Sequence, residues 1–392
     1  MSEGRYDFAV IGAGIAGASV AFELADGFRV LLAEAEPQPG MHSTGRSAAL
    51  FSEIYGGAEI RALSRASRAF LSTPPGGFAD APLIHRRGSL FLALAGRGEA
   101  LRVWRDDPHI AAGTGLLSAD QAAAIVPILR RGRVELAAFE PDAHDIDVDA
   151  LLQGYLRGFR RRGGVLRLGA RLRALDRSAS GWTLTLGEDA VEAAVVVNAA
   201  GAWADAVGRL AGAAPVGLIP RRRTAILTAP PPHCRIDGWP LVIDFDESFY
   251  FKPDAGQLLI SPADETPVEA GDAQPEEIDV ATAAYRFEEV ADHRIAHIRH
   301  RWAGLRSFVA DRVPVIGFDG KVEGLFWLAG QGGYGIQTAP AAARLAAALA
   351  SGRAAPSDIM EQGLDLSRLR PSRLRGTIAA DGREVRGSAE PA

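Results

Sequence analysis

The chain has 392 residues, 47% of them hydrophobic and 23% charged, with a formal net charge of -5. That composition describes a globular protein large enough for about two or three domains, and it excludes a disordered or low-complexity chain. Mild, dispersed negative charge gives no footing for a nucleic-acid partner. The single cysteine, Cys234, excludes intramolecular disulfides, Cys-x-x-Cys redox pairs and cysteine-ligated iron–sulfur clusters, and fits a reducing, cytoplasmic compartment. The first residues carry both signs of charge and the apolar run after them is broken by glycines. Neither a signal peptide nor a transmembrane segment is therefore expected.

In chain order, the first element is a β-branched and aromatic run, Phe8 to Ile11, suited to a buried parallel strand. Helical spacing follows from Ile15 to Leu24, and the junction carries Gly12, Gly14 and Gly17 in a GxGxxG pattern. Gly12 permits a tight turn, Gly14 admits a pyrophosphate close to backbone, and Gly17 lets the helix pack against the strand. The N–H groups of Ile15 and Ala16 at the helix start then face the phosphates. A second strand, Phe28 to Ala33, ends at Glu34, about twenty residues after the glycines, where a carboxylate accepts hydrogen bonds from ribose hydroxyls and repels a 2'-phosphate.

This much does not separate NAD from FAD, but the next stretch does. Residues 35–57 are rich in small and hydroxyl side chains where an NAD domain would pass to another helix and strand. Ser43, Thr44, Gly45, Arg46, Ser47 and Ala48 form a second nucleotide contact for an extended FAD. Further on, 193–205 is a buried strand ending in Asn198, Ala199, Ala200 and Gly201, whose small residues allow close approach to a ligand. Residues 324–349 form a strand, a glycine turn and an alanine-rich helix whose N-terminus would favour an anionic reduced flavin. Between these pieces, 82–146 and about 216–304 hold short alternating strands and proline-rich turns, as an antiparallel sheet requires. Ile146 to Gly164 is expected to be a helix that opens on aspartates and closes on Arg160, Arg161, Arg162 and Gly163. The tail from about Pro371 to Ala392 is polar, without periodicity, and expected to be frayed.

The motifs "HSTGRSAA" (42–49), "DALLQGYLRG" (149–158), "NAAGAW" (198–203), "DESFYFKPDAG" (246–256), "WAGLRSFVAD" (302–311) and "QGGYGIQT" (331–338) resemble, in this order, the D-amino-acid oxidase superfamily of flavoproteins. Within it they are most similar to bacterial FAD-dependent D-arginine dehydrogenases. The resemblance implies an α/β (α+β overall) fold with a Rossmann-like FAD-binding domain and a substrate domain whose antiparallel sheet covers the flavin. The FAD domain would take 1–81, 147–215 and 305–370, and the substrate domain 82–146 and 216–304, with 371–392 as a flexible tail.

It also implies non-covalent FAD, since the position at which some relatives attach flavin through histidine is Ser47, and Cys234 sits in a proline-rich turn. His42 lies nearby, with support of the loop as its expected job. The activity implied is oxidative deamination of D-amino acids. A hydride passes from Cα to flavin N5, an imino acid hydrolyses to a 2-oxo acid and ammonia, and electrons pass to a quinone or dye-like acceptor. Arg306 would hold the substrate carboxylate through its planar fork. Arg223, Tyr250 and Tyr55 would assist it, the carbonyl of Gly333 would take the amine, and Gln337 would lie beside it, with Gly332, Gly335, Ile336 and Thr338 along the flavin.

Each polar residue has a plainer alternative, a structural ion pair or a core phenol, and Arg221 or Arg222 could be the inward-facing arginine instead of Arg223. The alternative enzyme is an oxygen-using amine oxidase of glycine or sarcosine type. A sarcosine oxidase relative would carry a lysine over the flavin, where this chain is matched by Leu259. The non-enzymatic alternative is a flavin-binding protein without catalysis.

The substrate side chain is where the chain departs from arginine-preferring relatives, which carry glutamate at the position of Ser89 and histidine at that of Leu50. A buried unpaired cation is costly, so neutral D-amino acids are expected to be preferred, with Glu53 as the one possible substitute carboxylate. The acids of "HDIDVD" (144–149) resemble a calcium loop but lack its glycine and terminal glutamate. They are expected to cap a helix, and no metal site is expected.

Overall fold

In a computed structural model, residues 5–178, 180–232 and 234–374 are described. Two eight-stranded sheets and one of three strands carry the chain. At the centre of the first sheet, Tyr6–Ile11 pairs in parallel with Val30–Ala33 on one side and with Asp189–Asn198 on the other. Four fully buried residues, Val30–Ala33, make the second strand, two residues shorter than the expected Phe28 to Ala33, and the Arg29 carbonyl just before it accepts from both the Asp7 and Phe8 N–H groups. The strand Asp189–Asn198 is shared: its first half closes an antiparallel ladder with Gly181–Leu186, and its last residues pair in parallel with Leu325–Ala329. One face of this sheet packs on helices Ile15–Leu24, Val148–Arg161 and Gly335–Ala350, with Ala18, Leu63, Tyr155 and Leu345 in one apolar cluster.

The helix Val148–Arg161 begins where Asp147 accepts a hydrogen bond from the Ala150 N–H at 2.8 Å, so one acid of "HDIDVD" does cap it. Asp145 does something else: it accepts from Lys252 Nζ at 2.7 Å and from Arg87 Nε at 2.6 Å, tying a short strand to the second sheet.

The second sheet runs in spatial order 298–308, 219–228, 257–261, 250–254, 241–244, 89–94, 134–140 and 115–117, and all but one of its pairings are antiparallel. Alternation sends Phe251, Val242 and Ile260 into one apolar cluster and Tyr250, Ile243 and Leu259 into the other. The second of these faces looks toward the glycine-rich turns of the first sheet. The two sheets are stitched there by backbone, since the Gly332 N–H donates to the Ser307 carbonyl at 3.0 Å.

Pro371–Leu374 is a 3-10 turn with Leu374 buried, and the rest of the expected frayed tail lies outside the described residues. Among the described residues no helix is long and apolar enough to cross a membrane.

Candidate active site

A cavity of about 300 Å³ follows the C-terminal edge of the first sheet. It is lined by Gly12, Gly14, Ile15, Ala16, Glu34, Ser43, Thr44, Arg46, Ser47, Ala48, Ala200, Gly201, Gly332, Gly335 and Ile336, so five segments far apart in sequence meet along one groove. Gly12 has φ 99, which a side chain would strain, and a Cβ there would lie 2.7 Å from the Ala199 carbonyl oxygen. Gly17 and Gly45 lie behind the wall: a Cβ on them would meet the carbonyl oxygens of Gly12 and Gly40 at 1.7 and 2.6 Å.

Several expected cofactor contacts also build the cradle. Glu34 Oε2 accepts from the Ala13 N–H at 2.7 Å, and Thr44 Oγ1 accepts from the Ile15 N–H at 3.0 Å, so these side chains order the glycine turn and the helix start. Ser43 Oγ donates to the Leu305 carbonyl at 2.7 Å. Arg46 donates to the carbonyls of Met41, Ala273 and Ala303 and pairs with Asp272, pinning the loop to the second sheet. The groove fits an extended dinucleotide in its chemistry as well as its shape. It offers glycine backbone at both ends, and the His42 Nδ1 is buried on its wall without a hydrogen-bond partner.

A smaller cavity of about 70 Å³ adjoins the first at Ser47, Ala48, Arg223, Tyr250, Arg306 and Gly333. Its other walls include Leu50, Tyr55, Ser89, Phe91, Leu241, Ile243, Glu247, Tyr334 and Gln337. Period-two alternation separates Arg222 from Arg223, while Arg221, on the same side of the strand as Arg223, lines neither cavity and donates to the Glu265 carbonyl. Arg223 points into the cavity, whereas Arg222 points away and is held by Asp264, Glu276 and Asp279. Arg306 lies in the neighbouring strand, where Arg221 is its register partner and Gly304 is that of Arg223.

The two cavity arginines differ in their partners. Arg223 Nη2 pairs with Glu265 Oε1 at 3.0 Å, while the Arg306 guanidinium has no hydrogen bond or ion pair among the described residues. Burial and the nearby Arg306 charge both lower the pKa of Arg223. Gly333 is seated directly against Arg306, since a Cβ there would lie 2.7 Å from the Arg306 Cζ. Tyr55 and Tyr334 close one side with ring centroids 5.4 Å apart, and burial holds both phenols above their ordinary pKa, as does the Glu247 charge.

Some expected residues stand elsewhere. Glu53 lines neither cavity; its Oε1 accepts from Arg68 Nε at 2.6 Å, so it is not free to serve a substrate. Gln337 lines the smaller cavity, but its amide accepts from the Ser52 N–H and donates to Ser64 Oγ at 2.9 Å. Thr338 lines neither cavity and donates to the Tyr334 carbonyl. Leu259 is buried inside the second sheet and lines neither cavity, and no lysine lines either of them among the described residues.

The sequence reading missed Glu247 and Glu265. A signal for Glu247 was its place between the runs 241–244 and 250–254; the structure puts it in the turn there with φ 55. Glu265 carried none beyond its charge, because only tertiary structure brings it to Arg223.

Behind Ser89 lies a buried acid, Glu140, its register partner on the next strand. Burial pushes its carboxyl up to about 8, against the lowering effect of hydrogen bonds from Ser52 Oγ at 3.0 and 2.9 Å. Between the ordinary 4.5 and about 8 the folded chain therefore holds a proton that the unfolded chain has released, and stability falls as pH rises through that window. From about pH 6 to about pH 9, wild type is expected to lose on the order of 2 kcal/mol more stability than Glu140→Gln, seen as a larger drop in melting temperature. Parallel drops in the two proteins would show that this acid does not carry the dependence.

A glycine-turn dinucleotide groove with a cation-bearing cavity at its far end has the form of a dinucleotide-dependent oxidoreductase site. Residues 7–349 match the family "FAD dependent oxidoreductase" (DAO), and the chain belongs to that family, with FAD as its cofactor. It is 27% identical over 396 residues to the FAD-dependent oxidoreductase domain-containing protein 1 of Bos taurus, covering 88% of this chain and 80% of that protein. It is 26% identical over 267 residues to the mitochondrial dimethylglycine dehydrogenase of Mus musculus, covering 66% of this chain but only 30% of that longer protein.

Among solved structures, glycine oxidase from Geobacillus kaustophilus superposes with a TM-score of 0.81 at 22% identity, over 94% of this chain and 99% of that one. L-proline dehydrogenase from P. horikoshii also superposes with a TM-score of 0.81, at 21% identity, over 95% and 98% of the two chains. At these identities the structures establish the fold.

Proposed function

We propose that the chain is an FAD-dependent dehydrogenase of D-amino acids, resembling the D-arginine dehydrogenases in its site and differing from them in side-chain preference. The observation that carries this is Arg306: a guanidinium with no counter-ion among the described residues, set against the glycine turn at the end of the dinucleotide groove. An uncompensated cation in a partly desolvated cavity calls for an anionic ligand, and a planar fork matches a carboxylate. The similar proteins dimethylglycine dehydrogenase, glycine oxidase and L-proline dehydrogenase are each named for an amino acid or a derivative of one, which supports this reading.

In this reading Arg306 binds the α-carboxylate in a bidentate way, and Arg223 and Tyr250 flank it. The Gly333 carbonyl accepts a hydrogen bond from the amine, which orients the nitrogen lone pair to drive hydride departure from Cα. Tyr55 and Tyr334 exclude water while the amine is neutral. Bound FAD supplies the hydride acceptor in this chemistry. The imino acid so formed is hydrolysed to a 2-oxo acid and ammonia, and the electrons go on to a quinone or dye-like acceptor. Residues 1–81, 147–215 and 305–370 then serve the cofactor, and 82–146 and 216–304 the substrate.

The walls supplied by Leu50, Phe91, Leu241 and Ile243 suit a neutral side chain such as that of leucine, methionine or phenylalanine. One observation favours a second reading: the Glu247 carboxylate, exposed at the rim and without an ion pair among the described residues, would serve a distal cation. Anaerobic mixing with D- and L-forms of leucine, methionine, arginine and lysine separates these readings by loss of flavin colour. D-leucine and D-methionine are expected to bleach the flavin and their L-forms to fail. Bleaching by the L-forms alone would overturn the stereochemistry. A kcat/KM for D-arginine about tenfold or more above every neutral substrate would select the second reading.

A further inference from the structure

We propose that Glu265 fixes the number of carboxylates a substrate can carry: by pairing with Arg223 it leaves Arg306 as the one guanidinium of the smaller cavity without an ion pair among the described residues, and so restricts the site to amino acids with a single carboxylate. The proposal rests on the assignment of Arg306 as the carboxylate anchor.

The position of Glu265 is set by backbone. After the strand Gln257–Ser261, the chain runs beside the start of the strand Ile219–Thr228. There the Arg222 N–H donates to the Thr266 carbonyl at 2.9 Å, and the Val268 N–H donates to the Pro220 carbonyl at 3.0 Å. Arg221 Nη1 adds a bond to the Glu265 carbonyl at 3.0 Å, and Asp264 accepts from the Thr224 N–H at 2.6 Å. Held this way, the Glu265 carboxylate cannot drift from the arginines.

Both of its oxygens are used. Oε1 takes Arg223 Nη2 at 3.0 Å and Arg312 Nη2 at 2.8 Å, while Oε2 takes Arg312 Nη1 at 2.9 Å. Arg312 is itself stacked 3.9 Å over the Phe308 ring. Arg223 is therefore ion-paired through Nη2 before any ligand arrives, although its buried Nε has no hydrogen-bond partner, and its side chain is only 8% exposed.

A substrate with one carboxylate meets the free cation of Arg306 and leaves this cluster undisturbed. A second carboxylate would have to shed its hydration beside an arginine that already shares the Glu265 charge with Arg312, with Glu247 repelling it from the rim, and a buried anion without its own partner is strongly disfavoured. With the Glu265 charge removed, Arg223 and Arg312 both lose their counter-ion, and the cavity gains a place for a second anion.

The test uses the FAD-loaded protein titrated with propionate and with succinate, which adds one carboxylate to the same skeleton, read by the perturbation of flavin absorbance. In wild type, propionate is expected to bind at least about tenfold more tightly than succinate; in Glu265→Gln that ratio shrinks by about tenfold or more, as the gain of one charge-assisted pairing predicts. Glu265→Asp, which keeps the charge, should retain the wild-type ratio. Should Glu265→Gln not retain FAD, Glu265→Ser carries the same expectation.

Succinate binding wild type as well as propionate would overturn the proposal. So would an unchanged ratio in the neutral variants with both ligands weakened equally, which is what a purely structural role gives. Failure of the Arg306 assignment has a different signature: propionate would then bind Arg306→Ala as tightly as wild type.

Discussion

Replacing Arg306 by alanine is expected to lower kcat/KM by on the order of a hundredfold or more, because it deletes two charge-assisted hydrogen bonds to the substrate, each worth about 1.5–3 kcal/mol. The size of the effect follows from the absence of a counter-ion on this residue among the described residues. An arginine already paired within the protein would donate less to a ligand. Arg306→Lys should be nearly as poor, since a point charge cannot reproduce a planar fork. Steady-state kinetics with the flavin content of each variant measured in parallel decides the matter. Near-native efficiency in either variant with FAD bound would remove this residue from substrate binding.

The second large effect belongs to the cofactor side. In Gly17→Ala the new Cβ would lie 1.7 Å from the Gly12 carbonyl oxygen and 3.4 Å from the Ala199 Cβ. Neither neighbour is the loose end of a side chain, so the helix Ile15–Leu24 must move off the strand, carrying the Ile15 and Ala16 N–H groups with it. Overpacking of this kind costs about 1–3 kcal/mol or more, and displacement of the helix start removes the phosphate contacts as well. The variant is expected to purify largely without flavin, with its FAD dissociation constant raised by about a hundredfold or more. A Gly17→Ala protein that keeps a full complement of flavin would show that close packing at this glycine is not what shapes the cradle.

The dinucleotide turn was legible because its signal is local. Strand, three glycines, helix and a terminal acid all fall within residues 6–34, and each is dictated by backbone sterics. The alternating strands of the second sheet were legible for the same reason. What local pattern could not resolve was the direction of Arg221, Arg222 and Arg223, three identical residues on one strand. Their facing depends on register with the strand Ile298–Phe308, about eighty residues later.

Glu53 shows the opposite failure. Its nearness to Tyr55 made it a reasonable rim carboxylate, but Arg68, one helix away, takes it out of play. Glu247 and Glu265 acquire meaning only through turns that fold back across the sheet, and no spacing in the sequence announces them. Thr44 and Glu34 fall between these cases: expected as cofactor contacts, both line the groove, and their hydrogen bonds to Ile15 and Ala13 make them builders of its walls.

The groove is assembled from segments around Gly12, Ser43, Ala200, Arg306 and Gly333, spread over most of the chain. Closing such long intervals is entropically expensive and slow, and the last wall is supplied by the turn before the helix Gly335–Ala350. A nascent chain still missing that helix has no complete cradle to offer, so flavin uptake must come after that helix has been made. Once bound to the finished fold and not to the open chain, the cofactor draws the folding equilibrium toward itself by mass action. Inside a cell, the standing amount of intact protein would then rise and fall with the supply of flavin.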